Sequence, residues 1–188
     1  MRTVLLLMDL QRNIVERAAT FRGGGASVVE HAAEAADAAR AAGVPVVYVR
    51  VAFREGGPEI ALSNRRFAAA KTRATGGEGA QEVQIADAVA PHAGEPVVVK
   101  RRVSAFAGSD LDVILRAHRA ERLVLAGIAT SGVVLSTFTQ AADLDFDLVV
   151  LSDACADGDP EVHRILVEQV FPKAAEVMST AEWAASLS

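Results

Sequence analysis

The sequence predicts an α/β fold in which a parallel sheet carries helices on both faces. Three observations point to it. Apolar runs alternate along the chain with segments of helical period. The runs are continuous rather than alternating apolar with polar, as expected of strands covered on both sides. Polar residues follow the runs directly, and parallel sheets bind ligands beyond the carboxyl ends of their strands. Hydrophobic residues fill 51% of the 188 positions and charged residues 23%, which excludes disorder and suits one compact domain over 1–188.

The elements follow in order. Thr3–Met8 (TVLLLM) is the first strand. Residues 27–42 are Ala-rich, with Glu30, Glu34, Asp37 and Arg40 on one side at helical spacing and Gly43 as a natural stop. Residues 45–50 form the second strand. From Ala52 to about Gly79 no period is visible, so a long loop with one helical turn is expected. Loops of that length in a compact domain are often functional. The third strand is 95–100, followed by a helix over 110–118. A strand at 122–126 leads into a helix at 131–144, and a strand at 147–151 into a helix at 160–171 with Pro160 in its first turn. A short strand at 175–178 precedes a last helix at 179–185. Ser179 or Thr180 is its N-cap, and Glu182 lies near the capping-box position.

Several function classes are disfavoured. A net charge of -5 argues against a nucleic-acid surface. The first apolar run is too short to span a membrane, and no small-residue cleavage site follows it. The lone Cys155 excludes an intramolecular disulfide and fits a reducing compartment, so a cytoplasmic location is expected. No Gly-x-Gly-x-x-Gly follows the first strand, where Asp9-Leu10-Gln11 stands, which disfavours a dinucleotide site. Gly23-Gly24-Gly25 does not directly follow a strand and lacks a Lys-Ser/Thr pair, so it reads as a loop and not a phosphate cradle. His31, His92, His118 and His163 have no second ligand at metal spacing, and no metal or other cofactor is expected.

The polar residues that close the strands are Asp9, Arg50, Lys100, Thr130 and Asp153. Three of them sit in wider motifs: LLLMDLQRN around Asp9, VVVKRRVSAFAGSDLDVIL around Lys100, and LVLAGIATSGVVLST around Thr130. In this order, and with LVVLSDACAD near the end, the set resembles the isochorismatase-like hydrolases, also called the cysteine hydrolase superfamily. The resemblance covers nearly the whole chain. It implies a three-layer α/β/α, Rossmann-like fold around a six-stranded parallel sheet, and homo-oligomers such as dimers or tetramers.

The family's usual site is an Asp–Lys–Cys triad. Asp9 matches the aspartate and Lys100 the lysine. The family's third motif is Gly, two variable residues, Thr, two more, then Cys. Gly127 and Thr130 match it, but Val133 stands where the cysteine belongs. The resemblance also implies a non-proline cis peptide at Ala129-Thr130, and an oxyanion region formed by Ala129, Thr130 and Val133.

In cysteine members the thiolate attacks an amide-like carbon, the aspartate takes the thiol proton, and backbone N–H groups at the helix start hold the oxyanion. Valine has no nucleophile, so that chemistry is excluded at this position. True isochorismatases also lack the cysteine. They cleave a vinyl ether with a protonated aspartate as acid and water as nucleophile. Carried over, Asp9 is the general acid, a role that needs a pKa raised by burial, while Lys100 lowers it by direct attraction; the sequence does not settle that balance.

Two departures stand out. Isochorismatases carry His in a Gly-x-x-Ala-His context, whereas Gly127-Ile128-Ala129-Thr130-Ser131 is closer to the amidohydrolases. Metal-binding members carry an Asp-x-His motif after the second strand, where this chain has Arg50-Val51-Ala52-Phe53-Arg54. Candidate contacts for a small, carboxylate-bearing substrate are Gln11, Arg50, Arg54 and Phe106, with Arg65 or Arg66, because guanidinium binds carboxylate bidentately. Cys155, in Asp153-Ala154-Cys155, reads as a structural thiol. Two functions remain open: hydrolysis through Asp9, Lys100 and water, with vinyl ether cleavage foremost, or a binding or assembly module that kept the fold without the chemistry.

Overall fold

The computed structural model describes residues 1–21, 25, 27–72 and 76–187. Six strands form one parallel sheet: β1 (Thr3–Met8), β2 (Val46–Val51), β3 (Val97–Lys100), β4 (Arg122–Ile128), β5 (Asp147–Ala156) and β6 (Glu176–Met178). Their spatial order is β3-β2-β1-β4-β5-β6. The order reverses at β1 and β4, so the crevice where such sheets bind ligands opens beyond Met8 and Ile128.

The helices are α1 (Arg12–Ala18), α2 (Ser27–Ala41), the single turn α3 (Ala68–Lys71), α4 (Leu111–His118), α5 (Leu135–Asp143), α6 (Pro160–Ile165) and α7 (Thr180–Ser186). The two-residue period of β1 divides the core. Leu5 and Leu7 face one layer, where the small faces of Ala32, Ala35, Ala36 and Ala39 let α2 lie close to the sheet beside Trp183 of α7. Val4, Leu6 and Met8 face the other, against Leu111 and Leu115 of α4 and Phe138 and Ala141 of α5. Phe138 packs on Phe171 with ring centroids 4.7 Å apart. The result is the expected α/β/α sandwich.

The differences from the sequence reading have local causes. α1 is not marked in the sequence, because Gln11 precedes it without a side-chain cap and the helix has only seven residues. β5 runs to Ala156, beyond 151, because Ser152 and Asp153 interrupt the apolar run that marks a buried strand. The helix expected over 160–171 ends at Ile165. A π-helical turn (Leu166–Val170) and a 3-10 turn (Phe171–Lys173) complete it, since Pro172 has no N–H to continue the ladder. Ser179 caps α7 in a full capping box with Glu182. Of Gly23-Gly24-Gly25, only Gly25 lies within the described residues. Its α-carbon leaves no room for a side chain, since a Cβ would stand 2.2 Å from the Ala18 carbonyl oxygen.

Candidate active site

β1 ends abruptly at Asp9. Its φ of 57° is left-handed, rare for a residue with a side chain, and turns the carboxylate away from the strand direction. The Asp9 N–H still donates to the Val49 carbonyl at 2.8 Å. Two residues on, the Gln11 side chain extends the ladder. Its Nε2 donates to the carbonyls of Val51 (2.9 Å) and Val83 (3.1 Å), and its Oε1 accepts from the Val51 N–H at 2.7 Å. Gln11 thus acts as a surrogate peptide group that ties β1, β2 and the 81–83 turn together.

Lys100 closes β3, in register with Val51. Its Nζ lies 2.9 Å from Asp9 Oδ2 and donates to the carbonyls of Arg102 (3.1 Å) and Val103 (2.7 Å). The three ammonium protons therefore have three acceptors. Both side chains are buried, at 2% exposure for Lys100 and 8% for Asp9. Asp9 Oδ1 is buried and has no hydrogen-bond partner among the described residues. Burial raises the Asp9 pKa above the ordinary carboxylate value, against the opposing charge and hydrogen bond of Lys100. The contest left open by the sequence goes to burial.

β4 reaches the site through Gly127, whose φ is +147°. A Cβ there would stand 2.1 Å from the Met8 carbonyl oxygen, so only glycine lets β4 pass this close to the end of β1. The cis peptide expected at Ala129-Thr130 is found one bond earlier, at Ile128–Ala129, because β4 runs through Ile128 and the turn into the helix begins at extended Ala129. A π-helical turn (Thr130–Val134) follows and leads into α5. Thr130 is fully buried, and its hydroxyl lies 2.8 Å from His163 Nδ1. The Ser131 N–H donates to Asp157 Oδ2 at 2.7 Å. Val133 is 2% exposed and packs in the core with Val134 and Phe138.

The Lys100-Arg101-Arg102 run is not a solvated basic stretch. Arg101 donates to the Ala52 carbonyl at 2.8 Å and pairs with Glu59 and Glu78. Arg102 donates to the Glu59 carbonyl at 2.9 Å and lies over the Phe67 ring. Together they fasten the long segment after β2 onto the end of β3. Beneath that segment is a cleft of about 460 Å³, lined by Gln11, Asn13, Ile14, Arg17, Val51, Ala52, Phe53, Arg66, Phe67, Ala70, Gly77, Ala80, Glu82 and Val83. Phe53 and Phe67 meet edge to face at 5.7 Å. Asp9 and Lys100 are not on its wall. They are buried at the ends of β1 and β3, on either side of β2, whose last residue, Val51, does line it.

The remaining candidates are placed as follows. Arg50 is half-buried and props the segment from below, donating to the carbonyls of Glu78 (3.1 Å) and Val83 (3.3 Å). Arg54 is exposed and pairs with Glu59 at 3.6 Å. Phe106 stacks on Phe146 and packs against the core. Neither Arg50, Arg54 nor Phe106 lines the cleft. Arg66 does, and its Nη2 lies 3.6 Å from where a Cβ on Gly132 would stand, so it spans from the long segment to the helix start. Arg17, Phe53 and Phe67 carry no motif that marks them in advance. Cys155 is buried opposite Gly127 in the sheet, and burial pushes its thiol up to about 12, which fits a structural residue. Among the described residues no group of three or more His, Cys, Asp or Glu side chains could hold a metal ion, and no helix is long and apolar enough to cross a membrane.

Comparison with known proteins gives one consistent result. The isochorismatase domain model matches residues 3–182. The uncharacterized isochorismatase family protein YecD of Escherichia coli O157:H7 is 32% identical over 96% of this chain and 93% of its own length. The ureidoacrylate amidohydrolase RutB of Methylobacterium radiotolerans is 32% identical over 89% of this chain and 72% of its own. The crystal structure of a cysteine hydrolase from Pseudomonas syringae pv. phaseolicola superposes with a TM-score of 0.89 at 25% identity, covering 99% of this chain and 92% of that one.

Proposed function

The chain belongs to the isochorismatase family of hydrolases, and from that premise we propose that it cleaves a small carboxylate-bearing substrate by acid–base chemistry, without a cysteine nucleophile. One observation carries this reading. Asp9 presents a buried carboxyl group whose pKa burial raises above the ordinary carboxylate value, with Oδ2 held by Lys100 and Oδ1 without a hydrogen-bond partner among the described residues.

Vinyl ether hydrolysis suits that arrangement best. Asp9 gives its proton to the terminal vinyl carbon, leaving an oxocarbenium ion. Water adds at the cationic carbon and returns a proton to Asp9, and the hemiketal collapses to a ketone and an alcohol. Lys100 holds the carboxylate in the interval between losing and regaining its proton. Arg66 and the Phe53–Phe67 wall supply the cleft with a guanidinium for the substrate carboxylate and an apolar face for its body. The test is pyruvate release from isochorismate by the purified protein. Activity that vanishes in Asp9→Ala supports the reading, and no turnover of isochorismate or of other vinyl ethers refutes it.

A second reading has its own support. Val133 is core, and Asp9 is not among the residues that line the cleft, as in a domain that binds a ligand without transforming it. An amidase activity gained in Val133→Cys, from a protein with no vinyl ether hydrolysis, would favour this alternative.

A further inference from the structure

The segment after β5 makes two contacts with the helix start that no step above uses. Asp157 Oδ2 accepts the Ser131 N–H at 2.7 Å. His163, on α6, places Nδ1 2.8 Å from the hydroxyl of Thr130, which is fully buried. The contacts grip two successive residues of the turn that carries Val133, and they reach it from the side opposite Lys100 in the sheet order.

We propose that His163 is a positioning residue of this site, which acts through the Thr130 hydroxyl to hold the helix start beside Val133 in one orientation. A neutral ring lets the contact satisfy the Thr130 hydroxyl proton. A neutral imidazole with its proton on Nε2 accepts the Thr130 O–H at Nδ1. A protonated ring has N–H at both nitrogens and would force the Thr130 proton onto another acceptor in a fully buried place. The surroundings favour the neutral form: burial pulls the His163 pKa below the ordinary imidazole value, opposed by the Asp157 carboxylate. Of the charged groups on the elements packed against α6, Asp157 is the one whose charge reaches the ring. Asp159, which caps α6, and Glu161 and Arg164 on it are exposed and bond to backbone or to one another.

The role can be read without a known substrate, because a thiol at position 133 reports the local field of the helix start. In the full-length Val133→Cys variant, the thiol is titrated by thiolate absorbance at 240 nm. Cys155→Ser is carried in every variant, so that a single thiol titrates. Adding His163→Leu raises the titration midpoint by about one unit, and adding Thr130→Val does the same. The two together raise it no further than either alone, because they break one contact. His163→Asn, which offers an oxygen near the place of Nδ1, restores the parent midpoint. Melting curves recorded in parallel show each variant folded at the titration temperature. An unchanged midpoint in His163→Leu overturns the proposal. So do additive effects of the two substitutions, or His163→Asn behaving as His163→Leu. None of these outcomes depends on whether the protein hydrolyses a vinyl ether.

Discussion

Asp9 Oδ2 and Lys100 Nζ meet at 2.9 Å across the end of β2, and burial there outweighs the lysine's charge in setting the Asp9 pKa. A close ion pair ordinarily lowers a carboxyl pKa. The raised value follows because desolvation of the buried carboxyl exceeds the opposing charge and hydrogen bond of Lys100 and the smaller effect of the Val51 N–H.

A raised carboxyl pKa has a definite sign in stability. The folded state holds the Asp9 proton more tightly than the unfolded chain does. Its contribution is therefore fully present below the unfolded pKa and is lost as pH rises through the folded one. Asp9→Asn removes this ionisation. The melting temperature of Asp9→Asn relative to the parent should rise as pH increases from about 4 upward. Thermal melts across that range check it, and a variant-minus-parent difference that falls as pH rises contradicts the raised pKa.

Lys100→Met should be costly. It strands the carbonyls of Arg102 and Val103 in a buried place and takes away the hydrogen bond to Asp9 Oδ2. Each buried acceptor left without a donor costs about 1–3 kcal/mol. Chemical denaturation should show a loss of that order, with any hydrolysis abolished.

Gly127→Ala tests the close approach of β4 to β1. A methyl 2.1 Å from the Met8 carbonyl oxygen has no accommodation without moving a central strand, and the +147° φ adds strain of its own. A loss of about 3 kcal/mol or more, or failure to fold, is expected in expression and melting experiments.

Arg66→Gln should weaken binding of a carboxylate ligand such as cinnamate by about 10- to 100-fold in calorimetric titration, the range of a charge-assisted contact. Arg54→Gln should leave it unchanged, since Arg54 is exposed, bonded to Glu59 and off the cleft wall. Equal effects of both substitutions would mean that general charge, and not Arg66, attracts the ligand.

The sequence reveals what is strongly patterned. The continuous apolar runs mark β1 to β4 and the first half of β5, and the polar residues that close them single out Asp9 and Lys100. Contacts across the chain are less legible. Arg50 follows a strand just as Lys100 does, yet its guanidinium goes to two loop carbonyls, because segment 78–83 folds back beneath it. Arg66 is distinguished from Arg65 only when the long segment crosses to Gly132. His163 carries no spacing signal, since its partner Thr130 lies 33 residues away in the chain. Helix α1 and the far half of β5 are missed for a simpler reason: neither has the cap or the unbroken apolar run that marks such elements.

The pH dependence of isochorismate hydrolysis tests the central claim most directly, because the family's two chemistries give Asp9 opposite protonation states. As a general acid, Asp9 must begin protonated, so kcat/KM falls as pH rises through its pKa and Asp9→Asn is inactive. A kcat/KM that climbs with pH over the same range, or an Asp9→Asn variant that still releases pyruvate, would contradict the account.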